Sequence, residues 1–317
     1  MRDILSKFKT KLALDGFFSG EYLCQNGIAG ERFASALKEA REYYSKEKGK
    51  PLATALIHDC WKENISALES YFTGRMDEDF LSNETINGTM VFTDKKSHII
   101  ELDELSRQMD RANLNRIIST GLNRSFITGK SRRGALINSV HHLYHLKQFE
   151  KATGKKMSSI KSVVEFGGGY GNMARIVQNA GAPLEAYSII DLLLFSCIQY
   201  VFLCTTSGIE QVTFSNSPGN KRKLFTVYPM SLIDSMKELR GEMFLSTWAL
   251  SESTAAAYDL VKKHDWFGAS SLLLAYNEKW RPWGDGELAS VLEDGGWRIT
   301  IEPIDFLPPS NYVFATR

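Results

Sequence analysis

The sequence predicts an α/β protein: a doubly wound, mostly parallel sheet of seven strands with an antiparallel last strand, preceded by a mainly helical N-terminal region. After residue 158, short apolar and β-branched runs alternate with helical patterns, which is typical of a parallel sheet covered by helices on both faces. Before residue 158, apolar residues recur at helical spacing with charges between them. The last two strands, 297–304 and 311–317, leave no room for a helix between them, so we expect them to pair antiparallel.

The N-terminal region, residues 1–158, carries four predicted helices and one short predicted strand. The strand is 89–92, inside a segment rich in turn-forming residues. A break could divide the third helix. The helices are 29–48, 53–72, 97–120 and 134–154.

The second region, residues 159–317, supplies the sheet. Two segments compete for its third strand, 210–216 and 223–230, and we favour the second because a helix and the fourth strand follow it directly. The predicted strands are 160–166, 185–191, 223–228, 242–250, 270–277, 297–304 and 311–317. The predicted helices between them are 172–182, 192–205, 231–241, 253–268 and 286–296.

Charge and composition exclude several classes of protein. The net charge of +1 creates no overall field that would attract long nucleic acids or a membrane surface. The longest apolar run, 192–204, contains Gln199 and is too short to cross a bilayer, so it is predicted to be a buried helix. Charges interrupt the first apolar stretch, so we expect no signal peptide and a cytoplasmic location. Four cysteines without a CxxC pair favour reduced core cysteines and no zinc site.

A glycine-rich loop, E-F-G-G-G-Y-G at 165–171, follows the first predicted strand and precedes a helix. Such a loop can hold a nucleotide phosphate, a dinucleotide or S-adenosylmethionine, because glycine lets a ligand approach the backbone closely. Four glycines cost backbone entropy, which favours a ligand over a tight turn alone. No GxxxxGK motif is present, and the third glycine of GxGxxG is replaced by Asn172. Glu165 would repel a pyrophosphate and suits a cationic group such as an ammonium.

This loop resembles motif I of class I S-adenosylmethionine-dependent methyltransferases, written E/D-x-G-x-G-x-G, and the order of elements in 159–317 resembles their Rossmann-like fold. The resemblance implies S-adenosylmethionine as the cofactor and S-adenosylhomocysteine as its product. It also implies that Asp191, at the end of the second strand, binds the ribose hydroxyls, which a carboxylate can do with two hydrogen bonds. Leu192 would flank the adenine. The methionine part would lie on Glu165, Phe166, Gly167, Gly168, Gly169 and Gly171.

Further cofactor contacts are expected at the ends of the third and fourth strands. Tyr228, Pro229 and Met230 could edge the adenine, although they could equally be ordinary residues at a strand end. Ser246 and Trp248 lie where amine- and amide-directed methyltransferases carry an N-P-P-Y-like motif. The segment 246–249 does not match that motif, which argues against an amino acceptor of that class.

A narrower resemblance links the chain to the bacterial sugar O-methyltransferases. It rests on the segments 163–171, 189–203 and 244–252. Leu193 stands where that subgroup often has proline, and its N-x-S-L-x-E-M segment is matched only by T-W-A-L-S-E-S. The resemblance implies a hydroxyl of a sugar or sugar nucleotide as acceptor, in surface polysaccharide or natural-product synthesis. The N-terminal region would then form a lid, the acceptor pocket or a homodimer interface.

Methylating a hydroxyl calls for a nearby proton acceptor, and three residues are candidates. Glu252 and Glu278 follow the fourth and fifth strands, and His142 lies on the helix that enters the sheet region. Glu252 could instead be an acid favoured by the start of the next helix. His141 and His145 share a helix face and could bind a metal, but no Asp or Glu partner is evident nearby. We therefore predict helix packing for them and no metal.

Candidate acceptor contacts lie in two segments. Arg132 and Arg133 form a basic cluster that could hold a phosphate or the cofactor carboxylate, with a solvated charge run as the alternative. After the fifth strand, aromatic and polar side chains suit the stacking and hydrogen bonding of sugars. These are Tyr276, Asn277, Trp280 and Arg281, with Trp283 beyond them.

The sequence thus predicts an O-methyltransferase acting on a carbohydrate or another small molecule. The alternatives are a methyltransferase for a phenol, carboxylate or amine, and a non-catalytic S-adenosylmethionine-binding protein. No long nucleic acid and no membrane are expected as partners.

Overall fold

The structure is a computed structural model that describes residues 28–49, 56–59, 61–92, 94–119, 129–216 and 223–317. It contains ten α-helices within those ranges: α1 Ile28–Glu47, α2 Trp61–Thr73, α3 Glu84–Met90, α4 Lys95–Gln108, α5 Arg111–Ile118, α6 Gly129–Thr153, α7 Asn172–Asn179, α8 Leu193–Ser207, α9 Ala255–Lys263 and α10 Glu287–Asp294.

Helix starts in the N-terminal region follow from capping residues. Asn83 accepts hydrogen bonds from the first amides of α3, Asp94 from an amide of α4, and Asp110 from an amide of α5. Asp110 explains the break that divides the predicted helix 97–120. Asn83 explains an error: the predicted strand 89–92 is wrong, because the capped helix α3 runs to Met90.

Eight strands form one sheet: β1 Ser162–Phe166, β2 Ala186–Asp191, β3 Val212–Phe214, β4 Phe225–Pro229, β5 Met243–Thr247, β6 Ser271–Asn277, β7 Arg298–Pro303 and β8 Ser310–Thr316. Their order is β3-β4-β2-β1-β5-β6-β8-β7. All pairs are parallel except those of β8, which runs antiparallel to both neighbours. This confirms the predicted Rossmann-like, mostly parallel sheet with an antiparallel last strand.

The sheet has one strand more than predicted, because both candidates for the third strand are present. β4 pairs with β2, as favoured, while the three-residue β3 adds an outer edge. The predicted helix 231–241 is also wrong: a short 3-10 helix, Met230–Ser235, stands there. The predicted strand 242–250 corresponds to β5 and is shorter than expected. It ends at Thr247, because Trp248 turns the chain with a left-handed φ of 71°.

Two apolar cores cover the two faces of the sheet, since strand side chains alternate between faces. Val163 faces the core shared with α7, α8 and the N-terminal helices, whereas Val164 faces the core shared with α9 and α10. α1 packs along α8 through a stripe at helical spacing. The stripe is Phe33, Leu37, Ala40 and Tyr44. The N-terminal helices and the sheet region thus share one core.

Within the described ranges, no helix is both long and apolar enough to cross a membrane. The parallel strands β1, β2, β4, β5 and β6 end at the same edge of the sheet. Open α/β sheets bind ligands at this carboxyl edge.

Candidate active site

A cavity of about 460 Å³ opens at the carboxyl edge of the sheet. Its walls come from the loops after β1, β2, β5 and β6, from α6, and from the end of α3. Twelve of the residues predicted from the sequence line it: Glu165, Phe166, Gly167, Gly168, Gly169, Asp191, Leu192, His142, Trp248, Glu252, Asn277 and Trp280. Seven others do not: Gly171, Tyr228, Pro229, Ser246, Tyr276, Glu278 and Arg281.

The glycine loop is shaped largely by its own protein neighbours. Gly167 has a φ of 80°, and a Cβ there would overlap the Cβ of Ala249. A Cβ on Gly168 would lie 2.5 Å from a methyl carbon of Ile189. Gly171 takes the left-handed N-cap position of α7. The fold therefore requires glycine at three of these four positions. The sequence pattern assigned the glycines to a ligand and did not predict this structural role.

Gly169 differs from the other three glycines. Its φ is 55°, but a Cβ there would meet only ordinary van der Waals contacts with Met90, the nearest at 3.7 Å. It also lines the cavity. Of the four loop glycines, Gly169 is therefore the one that both lines the cavity and would not be crowded by an added Cβ.

Glu165 lies buried beneath the glycine loop and lines the cavity. The Tyr187 hydroxyl donates a hydrogen bond to its Oε2 at 2.9 Å. Burial raises the pKa of Glu165 to about 8, helped by the charge of Asp191 and opposed by the Tyr187 hydrogen bond. Among the described residues no cation compensates its ionised form, and a positively charged ligand group would supply one.

Asp191 ends β2 as predicted, buried beside the same cavity. The Leu192 amide donates to its Oδ1 at 2.8 Å, and the Gln199 side-chain amide donates to its Oδ2 at 2.6 Å. Burial raises its pKa to about 7, while these hydrogen bonds and the amides of Gly168 and Gly169 lower it. These hydrogen bonds thus fix the orientation of the carboxyl where it borders the cavity.

Gln199 is a site residue whose role the sequence interpretation missed. Its amide nitrogen also donates to the carbonyl of Gly169 at 3.1 Å, so it ties the glycine loop to Asp191. Its Oε1 is buried without a hydrogen-bond partner among the described residues. The available signal was a single glutamine in the apolar run 192–204.

The other predicted cofactor contacts divide into two groups. Pairing of β2 with β4 places Pro229 beside Asp191, with Tyr228 before it, but of this segment only Met230 lines the cavity. Ser246 serves the backbone: its hydroxyl donates to the carbonyl of Phe166 at 2.9 Å and accepts from a backbone amide. Trp248 does line the cavity.

Glu252 stands out among the candidate bases. It lines the cavity, and among the described residues its carboxylate makes no hydrogen bond or ion pair. Removal from water raises its pKa above the ordinary value. A desolvated, unpaired carboxylate beside a ligand cavity is suited to accept a proton.

Glu278 is placed differently. Its carboxylate accepts from Tyr276, from Asn311 and from Arg281, and Arg281 also pairs with Asp285. This cluster supports the loop after β6 and lies outside the cavity lining. The structure therefore does not bring Glu278, Tyr276 or Arg281 to the site.

Two predicted acceptor contacts after β6 do reach the cavity. Asn277 lines it while its side-chain oxygen accepts from the Lys279 amide, and Trp280 lines it with 51% of its surface exposed. Trp283, by contrast, is buried in the core against Tyr258. Arg132 and Arg133 lie in the first turns of α6, and their side chains fall outside what the structure describes.

His141 and His145 belong to a buried hydrogen-bonded chain. Glu101 Oε1 lies 2.5 Å from His141 Nδ1, the Nε2 atoms of the two histidines are 3.0 Å apart, and Tyr312 is 2.6 Å from His145 Nδ1. Burial raises the pKa of Glu101, but the imidazoles of His141 and His98 outweigh it and lower that pKa to about 2. The acidic partner missing from the sequence interpretation comes from α4, 40 residues earlier. In the described ranges, no group of three or more potential ligands could hold a metal ion.

His142 has its own partners on α7. Asn172 Nδ2 lies 3.1 Å from its Nδ1, and Asn172 in turn is hydrogen-bonded to Arg175. Burial lowers the pKa of His142 to about 3, with help from the charges of His141 and Arg175 and against that of Glu101. His142 is therefore a neutral imidazole at the cavity wall.

No protein-family model matches the sequence, and no curated protein matches it. Solved structures with a similar fold include the small RNA methyltransferase HEN1, with a TM-score of 0.42 at 12% identity over 56% of this chain and 25% of that one. An O-methyltransferase family protein from Burkholderia thailandensis has a TM-score of 0.40 at 10% identity, over 70% of this chain and 71% of that one. A SAM-dependent methyltransferase from Aquifex aeolicus has a TM-score of 0.36 at 15% identity, over 54% of this chain and 90% of that one.

The three named neighbours are thus methyltransferases. The match spans only a quarter of HEN1. Because every one of these TM-scores is below 0.5, activity and substrate must be inferred from the chain's own residues.

Proposed function

We propose that this protein is an S-adenosylmethionine-dependent O-methyltransferase whose acceptor is an uncharged sugar or a sugar-containing small molecule. One observation carries the cofactor assignment. Two buried carboxyls, Glu165 and Asp191, line one cavity together with the Gly169 backbone of the glycine loop. This donor set suits a ligand that has both a vicinal diol and a positive charge.

The described residues fit S-adenosylmethionine group by group. Asp191 can accept hydrogen bonds from the ribose hydroxyls, while Glu165 lies where a positive charge would stabilise its ionised form. Leu192 and Met230 offer apolar surface to the adenine. When bound, S-adenosylmethionine supplies a methyl group that is activated by its attachment to a sulfonium.

The cavity's electrostatics favour an acceptor without phosphate. Its described lining contains three carboxylates, Glu165, Asp191 and Glu252, and no lysine or arginine side chain. A sugar nucleotide would bring negative charge beside Glu252, and the described lining holds no lysine or arginine side chain to compensate it. Aromatic rings supply flat apolar surface for a sugar face. They are Trp61, Phe92, Trp248 and Trp280.

Glu252 is the residue we assign to the acceptor's proton. Its carboxylate can accept that proton as the hydroxyl oxygen attacks the methyl group. The remaining catalytic effect is positioning of the acceptor in line with the methyl group.

Calorimetry with S-adenosylhomocysteine tests the cofactor assignment. We expect binding by the wild type, loss of binding by Asp191→Ala, and unchanged binding by Asp103→Ala, which removes an exposed carboxylate on α4. Absence of binding, or equal affinity in the Asp191 variant, would overturn the assignment.

A methyl-transfer screen with radiolabelled S-adenosylmethionine tests the acceptor class. We expect turnover with neutral glycosides and little with the matching nucleotide sugars. Turnover confined to phenols, carboxylates or amines would leave the cofactor assignment intact and refute the sugar. Cofactor binding without turnover on any acceptor would favour a non-catalytic binding protein.

A further inference from the structure

We propose that Asn172 and Arg175 are positioning residues that hold His142 as a hydrogen-bond donor at the cavity, with its proton on Nε2. In this assignment His142 donates a hydrogen bond to an oxygen of the acceptor, and Glu252 removes the proton. The chemical part of the inference rests on the proposed function, whereas the state of the imidazole does not.

The orientation of the Asn172 amide is determined by a cation. Arg175 Nη2 donates to Asn172 Oδ1 at 2.8 Å and Arg175 Nε donates to it at 3.3 Å. A guanidinium has only donors, so the reversed amide would place N–H groups against N–H groups. The oxygen of Asn172 therefore faces Arg175, and its nitrogen is left for His142.

The proton position on His142 follows from that orientation. The Asn172 amide nitrogen can only donate, so His142 Nδ1, at 3.1 Å, must accept and carry no proton. A neutral imidazole then carries its proton on Nε2. Full protonation of His142 would place an Nδ1–H against the Asn172 N–H, which disfavours the charged form. Burial disfavours the same form and lowers the pKa of His142.

Arg175 itself is an unusual group to bury. It is 3% exposed, and its hydrogen bonds go to Ser119, Ser139 and Asn172 with no carboxylate among its described partners. Burial lowers its pKa to about 10, which still leaves it charged at neutral pH. Burying a cation without an anionic partner costs desolvation free energy. Orienting the Asn172 amide would give this buried charge a function.

The Nε2 atom of His142 is the one that could contact a ligand. His142 lines the cavity, and among the described residues its Nε2 makes no hydrogen bond. An N–H there binds an atom with a lone pair, such as the hydroxyl or ring oxygen of a sugar. Asn172 is also the residue that breaks the dinucleotide fingerprint, so this position has a role of its own.

Nuclear magnetic resonance of histidine-labelled protein tests the imidazole directly. Long-range proton–nitrogen correlation distinguishes the two ring nitrogens, and the signal missing in His142→Gln identifies His142. We expect a protonated Nε2, a bare Nδ1 and no titration between about pH 6 and pH 8. A proton on Nδ1, or titration in that range, would overturn the proposal.

Asn172→Asp is the matched variant, since it replaces the donor with an acceptor of the same shape. The proton should then appear on Nδ1, and turnover should fall about tenfold while affinity for S-adenosylhomocysteine stays within about twofold. An unchanged tautomer would contradict the role given to Asn172. If this variant fails to fold, the wild-type spectrum still decides the proton position.

The role of the donor is tested separately. His142→Gln keeps an N–H donor, whereas His142→Leu does not, so the glutamine variant should retain more turnover. An equal loss of turnover in both variants would refute the role of His142 as a hydrogen-bond donor. If S-adenosylhomocysteine does not bind at all, the proposed function fails while the imidazole spectrum remains interpretable.

Discussion

Gly167 and Ala249 approach so closely that a Cβ added to Gly167 would overlap the Cβ of Ala249. This contact joins the loop after β1 to the turn after β5, two loops that line the cavity. The glycine therefore positions Trp248 and Glu252, which follow β5, relative to the glycine loop.

Gly167→Ala should destabilise the fold by about 3 kcal/mol, through the overlap and the left-handed φ together. Urea unfolding measures this. Gly181→Ala is the control, because Gly181 has a φ of 90° and nothing within 4 Å, so it should lose only about 1 kcal/mol. The double variant with Ala249→Gly should recover most of the difference, and no recovery would refute the contact.

Affinity for S-adenosylmethionine should depend on pH through Glu165 and Asp191. Their pKa values, about 8 and about 7, leave them partly protonated at neutral pH, and a bound cation favours the ionised forms. Binding should therefore release protons, and affinity should fall about tenfold between pH 7 and pH 6. Calorimetry in buffers of different ionisation enthalpy counts the protons. Glu165→Gln should flatten the dependence, and a pH-independent wild type would contradict it.

Glu252→Gln should lower turnover about a hundredfold while leaving affinity for S-adenosylhomocysteine unchanged, because the amide cannot accept a proton. Turnover of the wild type should rise with pH as Glu252 ionises, with a midpoint above that of an ordinary glutamate. Glu293→Gln, on the exposed side of α10, is the control. Equal turnover in both variants would remove Glu252 from this role.

Glu101→Gln should destabilise the fold by about 3 kcal/mol at neutral pH. The pKa of Glu101 falls from 4.5 to about 2 on folding, which corresponds to about 3 kcal/mol. Because its folded-state pKa is lowered, this stability is present above pH 4.5 and is lost as the pH falls towards about 2. The gap between variant and wild type should shrink over that range.

Urea unfolding at a series of pH values checks this expectation. Asp103→Asn, an exposed acid on the same helix, should change stability by less than about 0.5 kcal/mol. A Glu101 variant as stable as that control would show that the Glu101 carboxylate does not stabilise the fold.

Local patterns were sufficient for much of the site. Glu165 and Asp191 could be predicted because each lies at the carboxyl end of a buried strand, and parallel strands place these ends at one edge of a sheet. Glu252 could be predicted because it follows β5, the strand that pairs with β1. Parallel pairing of β2, β1 and β5 brings the three residues to one edge of the sheet.

Other parts depended on contacts between distant segments. Glu101 reaches His141 across 40 residues, and Tyr312 reaches His145 across 167, separations that no local pattern encodes. Glu278 was predicted at the site from its strand end, but Asn311 and Arg281 hold it elsewhere. The predicted strand 89–92 failed because the side-chain cap at Asn83 outweighed a short β-like pattern.

The sequence by itself determined the alternation of strands and helices, the glycine loop and the two carboxylates beside it, since these follow from spacing along the chain. Only the tertiary structure decided which side chains keep a free polar group at the cavity. Glu252 remains unpaired there, Glu278 does not, and His142 is held by Asn172. A side chain's partners depend on which segments pack together, and packing brings together residues that are far apart in the chain.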